Sequence, residues 1–413
     1  MGKFFLIILS MLLIFVGIYG LFHLLSLRDA EIELNNAINA IYTGNYREAE
    51  ETLNRVIAQY DTTVIKAPAL YLLAELHEKK GEWGSATEVY KSILLDTEIP
   101  PDSIWHLRAL LSASKLFRQS LAGTSRHRIE LFQNYIEMVK KRIEEMDGRD
   151  NFKTLSTQLN HFFQSLLIPT GSRLAELFDT SSIRQDLETE LAFLYLETGR
   201  FTEAEKMFLS LKTRTSAFGL AQLYLKTNRQ EKGVEILEEL LNYDTTGRIY
   251  LLYFEEGYNL AKKLEEGGEL QKATELYSKI LHHSRELQSG SLYIKASMQI
   301  GEEQTSTEGM KNATLRAALL YEELVTFQLA SYYYRKGNFQ KALTFLEQVL
   351  QNRDTSKDEE ALIISGYIYY DRREFYRALR IFNDFIKRYP RSPYARNARD
   401  WKAMSERAIR YLN

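Results

Sequence analysis

The stretch "GNYREAEETL", residues 44–53, sets a glycine, an aromatic two residues on and an alanine three further on at the head of an apolar pattern of helical period. The same phrase returns as "GEWGSATEVY" (81–90), "GRFTEAEKMF" (199–208) and "GNFQKALTFL" (337–346). A phrase recurring every few tens of residues marks an array in which one supersecondary unit is stacked many times. Glycine is the residue that turns a chain out of one helix, and the apolar run after it starts the next. Each phrase therefore reads as the elbow of a helical hairpin.

Bulk composition supports this reading. The chain has 413 residues, 45% of them hydrophobic and only six of them proline, and it is rich in helix-forming Leu, Ala, Glu and Lys. The formal net charge of −2, from 53 basic and 55 acidic residues, gives no basic excess for a phosphate backbone, so nucleic acid is not an expected partner. The absence of cysteine removes disulfides, thiolate metal sites, a cysteine nucleophile and a lipidated cysteine.

The recurring residues resemble the tetratricopeptide repeat family. Ala37, Gly44, Tyr46, Ala49 and Leu53 match its order of small residue, turn glycine, aromatic and small residue, and Ala74, Gly81, Trp83, Ala86 and Tyr90 repeat it. Ala192, Gly199, Phe201, Ala204 and Phe208 form a third copy, followed by Ala221, Asn228, Gly233 and Leu237, where Asn stands for the turn glycine and Gln230 for the aromatic. Further copies are Ala261, Gly268, Leu270, Ala273 and Tyr277, then Ala330, Gly337, Phe339, Ala342 and Leu346, then Gly366, Phe375, Ala378 and Phe382. In the last of these Arg373 occupies the turn position, which puts the tightness of that turn in question. The resemblance implies an all-α fold, an α-solenoid of antiparallel helix pairs, with stability drawn from nearest-neighbour interfaces. Small residues such as Ala49, Ala86, Ala192, Ala204, Ala273, Ala330, Ala342 and Ala378 let paired helices approach. Tyr46, Trp83, Phe201 and Phe339 are expected to fill the wedge between pairs.

The organisation reads as a tetratricopeptide pair over 28–99, divergent helical pairs over 100–185, a second block over 186–289 and a C-terminal pair over 322–392. Between the last two, 290–321 contains the polar stretch "GEEQTSTEGMKNAT" and is expected to be irregular, with a flexible loop. Residues 393–413 read as an amphipathic helix that caps the exposed core. The phrase "FIKRYPRSPYARNARDW" resembles the repeats of bacterial envelope proteins: the helical lipoprotein of the outer-membrane assembly machinery and the periplasmic partner of the Tol–Pal system. The missing lipid-bearing cysteine separates this chain from the first.

Residues 4–27 run without a formal charge between Lys3 and Arg28. At about 1.5 Å per residue, a helix over this stretch crosses the hydrocarbon layer of roughly 30 Å. A cleaved signal peptide has a shorter apolar region ending at a small-x-small site. The stretch is therefore expected to be a transmembrane signal anchor behind a cytoplasmic stub, residues 1–3. Lys3 and the free amine before it, against Arg28 followed by Asp29, Glu31 and Glu33 after it, orient the N-terminus to the cytoplasm. The repeats would then lie on the far side of a bacterial inner membrane, in the periplasm.

No catalytic motif stands out. The seven histidines show no H-E-x-x-H spacing, and the adjacent His282 and His283, pointing about 100° apart on a helix, make a poor chelating pair by themselves. No phosphate-cradling glycine loop or nucleophile elbow is present. The expectation is a non-enzymatic chain without cofactor, metal or small-molecule substrate.

What remains is binding. In the family the first helices line a concave groove with residues three before, one after and four after the small residue. Here those positions hold Tyr71, Glu75 and Glu78, then Thr189, Phe193 and Leu196, then Phe218, Gln222 and Leu225. Later repeats supply Tyr258, Lys262 and Glu265, then Phe327, Ser331 and Tyr334, then Ile363, Tyr367 and Tyr370. The resemblance thus implies an aromatic, nearly uncharged groove for peptide or protein partners, without the Lys and Asn of the family's chaperone-tail clamp. The same aromatics could instead pack against a capping helix of the chain itself. The expected role is a membrane-anchored scaffold in the cell envelope. Its alternatives are a structural or regulatory subunit of an envelope enzyme or secretion complex, and a cytoplasm-facing adaptor.

Overall fold

The computed structural model describes residues 28–60, 63–101, 103–120, 126–147, 182–289, 306–351 and 357–412. Every regular element among them is helical, with no strand. The expected anchor at 4–27, with Lys3, lies outside the described residues; Arg28 is exposed at the start of the first described helix. Among the described residues no helix is long and apolar enough to cross a membrane.

The chain divides into two compact units, Met1–Leu223 and Tyr224–Asn413. In the first, α1 (28–42), α2 (Tyr46–Gln59), α3 (Thr63–Lys79) and α4 (Trp83–Leu95) form two hairpins. They continue through α5 (Ile104–Ser120) and α6 (Arg126–Asp147) to the hairpin of α7 (Ile183–Glu197) and α8 (Phe201–Leu211), and then α9 (Arg214–Lys226), whose last turn opens the second unit. Both α5 and α6 pack on α7, so the described part of the divergent segment joins that hairpin directly.

The second unit holds α10 (Gln230–Leu240), α11 (Arg248–Glu266), α12 (Leu270–Gln288), α13 (Ser306–Arg335), α14 (Phe339–Gln351), α15 (Asp358–Asp371), α16 (Phe375–Arg388) and α17 (Ala395–Leu412). The loop expected within 290–321 is helix from Ser306 onward. Gly309 costs a helix only about 1 kcal/mol, and Thr314 and Ala318 are buried beneath neighbouring helices, so packing extends the helix through the polar stretch. Residues 290–305 lie outside the described residues. Helix α17 packs along α16 and touches α15, burying Ala395, Ala398 and Ser405.

First helices are packed on two faces, which is how a stack propagates. Leu72, Leu73 and Leu76 of α3 join the core made with α1 and α2, while Tyr71 and Ala74 join the core made with α4 and α5. Helix α15 does the same, giving Ala361 and Ile368 to one core and Leu362 and Ile363 to the next. The small residues sit at these crossings: Ala49, Ala86, Ala192, Ala204, Ala330, Ala342 and Ala378 are fully buried, and Ala273 nearly so. Trp83 departs from expectation, being 50% exposed. It opens α4 over solvent and does not fill the wedge.

The hairpin elbows share one geometry. Gly44, Gly81, Gly199, Gly268 and Gly337 have φ between 71° and 84°, and Asn228 and Arg373 take the same left-handed turn at 59° and 61°. At each, the turn residue donates its N–H three residues back and the next residue donates five back, as Gly81 does to Glu78 (2.9 Å) and Glu82 to His77 (2.8 Å). Arg373 and Glu374 form the same pair at 2.9 and 2.8 Å, so the arginine turn is as tight as the glycine turns. The question raised by the sequence is answered by the backbone, with a left-handed arginine as the consequence.

Candidate functional site

The residues expected to line a groove fall into three environments. Tyr71 and Phe193 are buried, at 4% and 5% exposure. Tyr71 lies 5.8 Å from the rings of both Tyr90 and Trp105 and shares a 3.2 Å hydrogen bond with Ser112. Phe193 meets Phe208 edge-on at 5.0 Å and carries the Arg118 guanidinium 4.4 Å above its face. These two side chains are part of the packing between helices.

Tyr367 and Tyr370 are half-buried beneath the cap. Trp401 of α17 lies 4.9 Å from Tyr367 and 5.0 Å from Tyr370, edge-on to the latter. The chain's own last helix covers them in part, which is the alternative that the sequence left open.

Phe218 in the first unit and Tyr258, Phe327 and Tyr334 in the second are half-buried. Tyr258 forms a tilted cluster with Tyr277 (5.9 Å) and Tyr321 (5.7 Å). Lys357 stands 5.4 Å over Phe327, and Tyr334 packs on Phe339 at 6.1 Å. The phenol of Tyr334 is pushed above its ordinary range by burial, then by the charge of Asp371, to which it is hydrogen-bonded. Tyr321 was not singled out by the sequence; it lies nine residues before Ala330, beyond the register used for groove positions.

The acidic residues of the expected groove are drawn inward. Glu75 and Glu78 are both held above the usual carboxylate range, mainly by burial, and Tyr90 donates its hydroxyl to Glu78 at 2.5 Å. In the fifth repeat Tyr277 donates to Glu265 at 3.1 Å, and Arg335 also reaches that carboxylate. A tyrosine–glutamate link thus ties the two helices of a hairpin in both units, formed by the residues four after each small position. The sequence carried this pattern in Ala74 with Glu78 and Ala86 with Tyr90, and again in Ala261 with Glu265 and Ala273 with Tyr277.

One buried ion pair had no signal in the sequence. Arg118 of α5 grips Glu190 of α7 through Nε (3.2 Å) and Nη2 (3.1 Å), with only 1% of the glutamate side chain exposed. Burial pushes the Glu190 carboxyl up, and the charge and hydrogen bonds of Arg118 oppose the shift. This fork fastens the divergent segment to the next hairpin.

Comparison with known proteins agrees with the hairpin geometry. Residues 34–103 and 327–393 match the family described as "Tetratricopeptide repeat", and these two segments are tetratricopeptide repeats. No curated protein matches the chain. Similar solved structures include the assembly chaperone of RpL4 (Acl4), 12% identical with a TM-score of 0.32, covering 70% of this chain and 96% of that one. Yeast Tom70 is 13% identical with a TM-score of 0.24, covering 92% of this chain and 88% of that one. The Cut9–Hcn1 hetero-tetramer of APC/C is 13% identical with a TM-score of 0.25, covering 89% and 82%. Repeats of this family serve as protein-interaction scaffolds.

Proposed function

We propose that this chain is a non-enzymatic, membrane-anchored scaffold that holds an extended or helical segment of an envelope protein against the half-buried aromatics of its second unit. Tyr258, Tyr321, Phe327 and Tyr334 carry the proposal: they retain exposed edge on the first helices while their rings are fixed by neighbours. Rigid aromatic area of this kind supplies contact at small entropic cost. The uncharged stretch at 4–27 would tether the array to the inner membrane, with Lys3 and Arg28 orienting the repeats to the periplasm and raising the effective concentration of partners there.

The test is co-purification after crosslinking in cells, comparing the natural chain with a Tyr258→Ala, Phe327→Ala, Tyr334→Ala triple variant. Loss of a recovered protein supports the reading; unchanged recovery sinks it. A reporter active only in the periplasm, fused after Asn413, tests the orientation, and activity of a cytoplasmic reporter there would instead make the chain a cytoplasm-facing adaptor.

A second reading draws on the packing of Tyr71, Phe193, Tyr367 and Tyr370 within the chain. Aromatics used up internally suit a structural subunit of an envelope enzyme or secretion complex, in which the array itself is the part. Stable co-migration of one partner that survives the triple variant would favour it.

A further inference from the structure

Helix α12 carries a cluster of two histidines and a glutamate outside the aromatic face. His282 stands four residues and His283 three residues before Glu286, the two spacings that bring side chains together on a helix. His282 Nε2 lies 3.4 Å from Glu286 Oε1, and His283 Nδ1 lies 3.3 Å from Glu286 Oε2. No two of the three donor atoms are more than 4.8 Å apart. An ion bound tetrahedrally at about 2.0–2.1 Å holds its donors about 3.4 Å from one another, and each imidazole meets one oxygen of the Glu286 carboxylate at that length. The expectation that adjacent histidines chelate poorly considered only the pair; a carboxylate one turn on joins them.

The surroundings orient the cluster. The second nitrogen of His283, Nε2, faces Glu238 Oε1 of α10 at 3.4 Å, and that carboxylate is anchored by Lys279 Nζ at 2.9 Å. Buried Tyr253 meets the His283 ring edge-on at 5.6 Å and fixes its plane. A carboxylate on the far nitrogen of a histidine is the arrangement that sets the tautomer of a metal ligand: with the N–H on Nε2 toward Glu238, the Nδ1 lone pair faces Glu286. The cation nearest in sequence, Arg285, is engaged elsewhere, by Glu322 at 2.8 Å and Gln348 at 3.0 Å.

We propose that His282, His283 and Glu286 form a surface site for a zinc-class divalent ion, with Glu238 and Tyr253 as positioning residues and water completing the coordination. Two imidazoles and a carboxylate without thiolate favour Zn²⁺ and its neighbours over Mg²⁺ or Ca²⁺. The site does not depend on the proposed scaffold role.

Titration of the untagged full chain with Zn²⁺ against a chromophoric chelator tests it. One ion per chain is expected, undisturbed by excess Mg²⁺. His282→Gln and His283→Gln should each weaken binding at least about tenfold, and Glu238→Gln, which removes no ligand, about tenfold. The site is overturned if no ion binds, or if a His282→Gln, His283→Gln double variant of unchanged helicity binds as the natural chain does. Should a variant lose helicity, Cu²⁺ electron paramagnetic resonance on the unaltered chain decides: two nitrogen ligands support the site, and fewer overturn it.

Discussion

Tyr90 donates its hydroxyl to Glu78 across the second hairpin at 2.5 Å, with the phenol ring fully buried. Removing the donor leaves a half-buried carboxylate short of a partner, which costs up to about 1–3 kcal/mol. Tyr90→Phe should therefore destabilise the chain by that amount in chemical unfolding. Tyr277→Phe should cost less, because Arg335 still serves Glu265.

Glu75 gives a pH dependence whose sign is fixed. Burial raises its carboxyl in the folded chain, and Glu78 and Glu190 shift the same way. A raised carboxyl contributes stability that is complete below the unfolded value, about 4.3, and is lost as pH rises through the folded value. Glu75→Gln removes this loss, so its melting temperature should gain on the natural chain as pH rises above the unfolded value. A difference independent of pH would contradict the assignment.

Gly366 faces the ring of Phe382, and a Cβ built there would lie 2.5 Å from Cε1. The ring is fully buried and cannot retreat freely. Gly366→Ala should cost about 1–3 kcal/mol by overpacking. Ala204→Leu, at another helix crossing, should cost a similar about 1–3 kcal/mol, both read from denaturant midpoints.

Arg373→Gly should stabilise the last elbow. The arginine holds φ at 61°, a conformation that costs an ordinary residue about 1–2 kcal/mol and glycine little. Part of that gain is offset by the freer unfolded chain, leaving an increase of up to about 1 kcal/mol.

Arg118→Ala should be among the most damaging changes to the first unit. It strands Glu190 in the interior, where breaking one side of a buried pair costs about 3–5 kcal/mol. Glu190→Gln keeps a neutral acceptor for the guanidinium and should cost less. Equal losses in the two variants, measured by thermal unfolding, would refute this account.

The elbows and crossings were legible because local chemistry dictates them. Gly44 or Asn228 announces a left-handed turn, and Ala204 or Ala342 announces a close approach, whatever surrounds them. The groove was less legible: Tyr71 and Phe193 occupy groove register, yet first helices are packed on two faces, and register alone does not say how far the next helix closes over a side chain. Arg118 and Glu190 are 72 residues apart, so only the folded chain joins them. His282 and His283 were readable as the residues four and three before Glu286, but the carboxylate of Glu238 that faces His283 comes from another helix.

The tryptophans at 83, 105 and 401 occupy unlike surroundings: Trp83 is half open to water, Trp105 is 3% exposed within the first unit, and Trp401 sits between tyrosines beneath the end of the second. Indole emission responds to such differences in polarity and ring contact. The chain therefore contains its own optical labels, and with Trp83 replaced by Phe, melting of its two halves could be followed at separate wavelengths without attaching a dye.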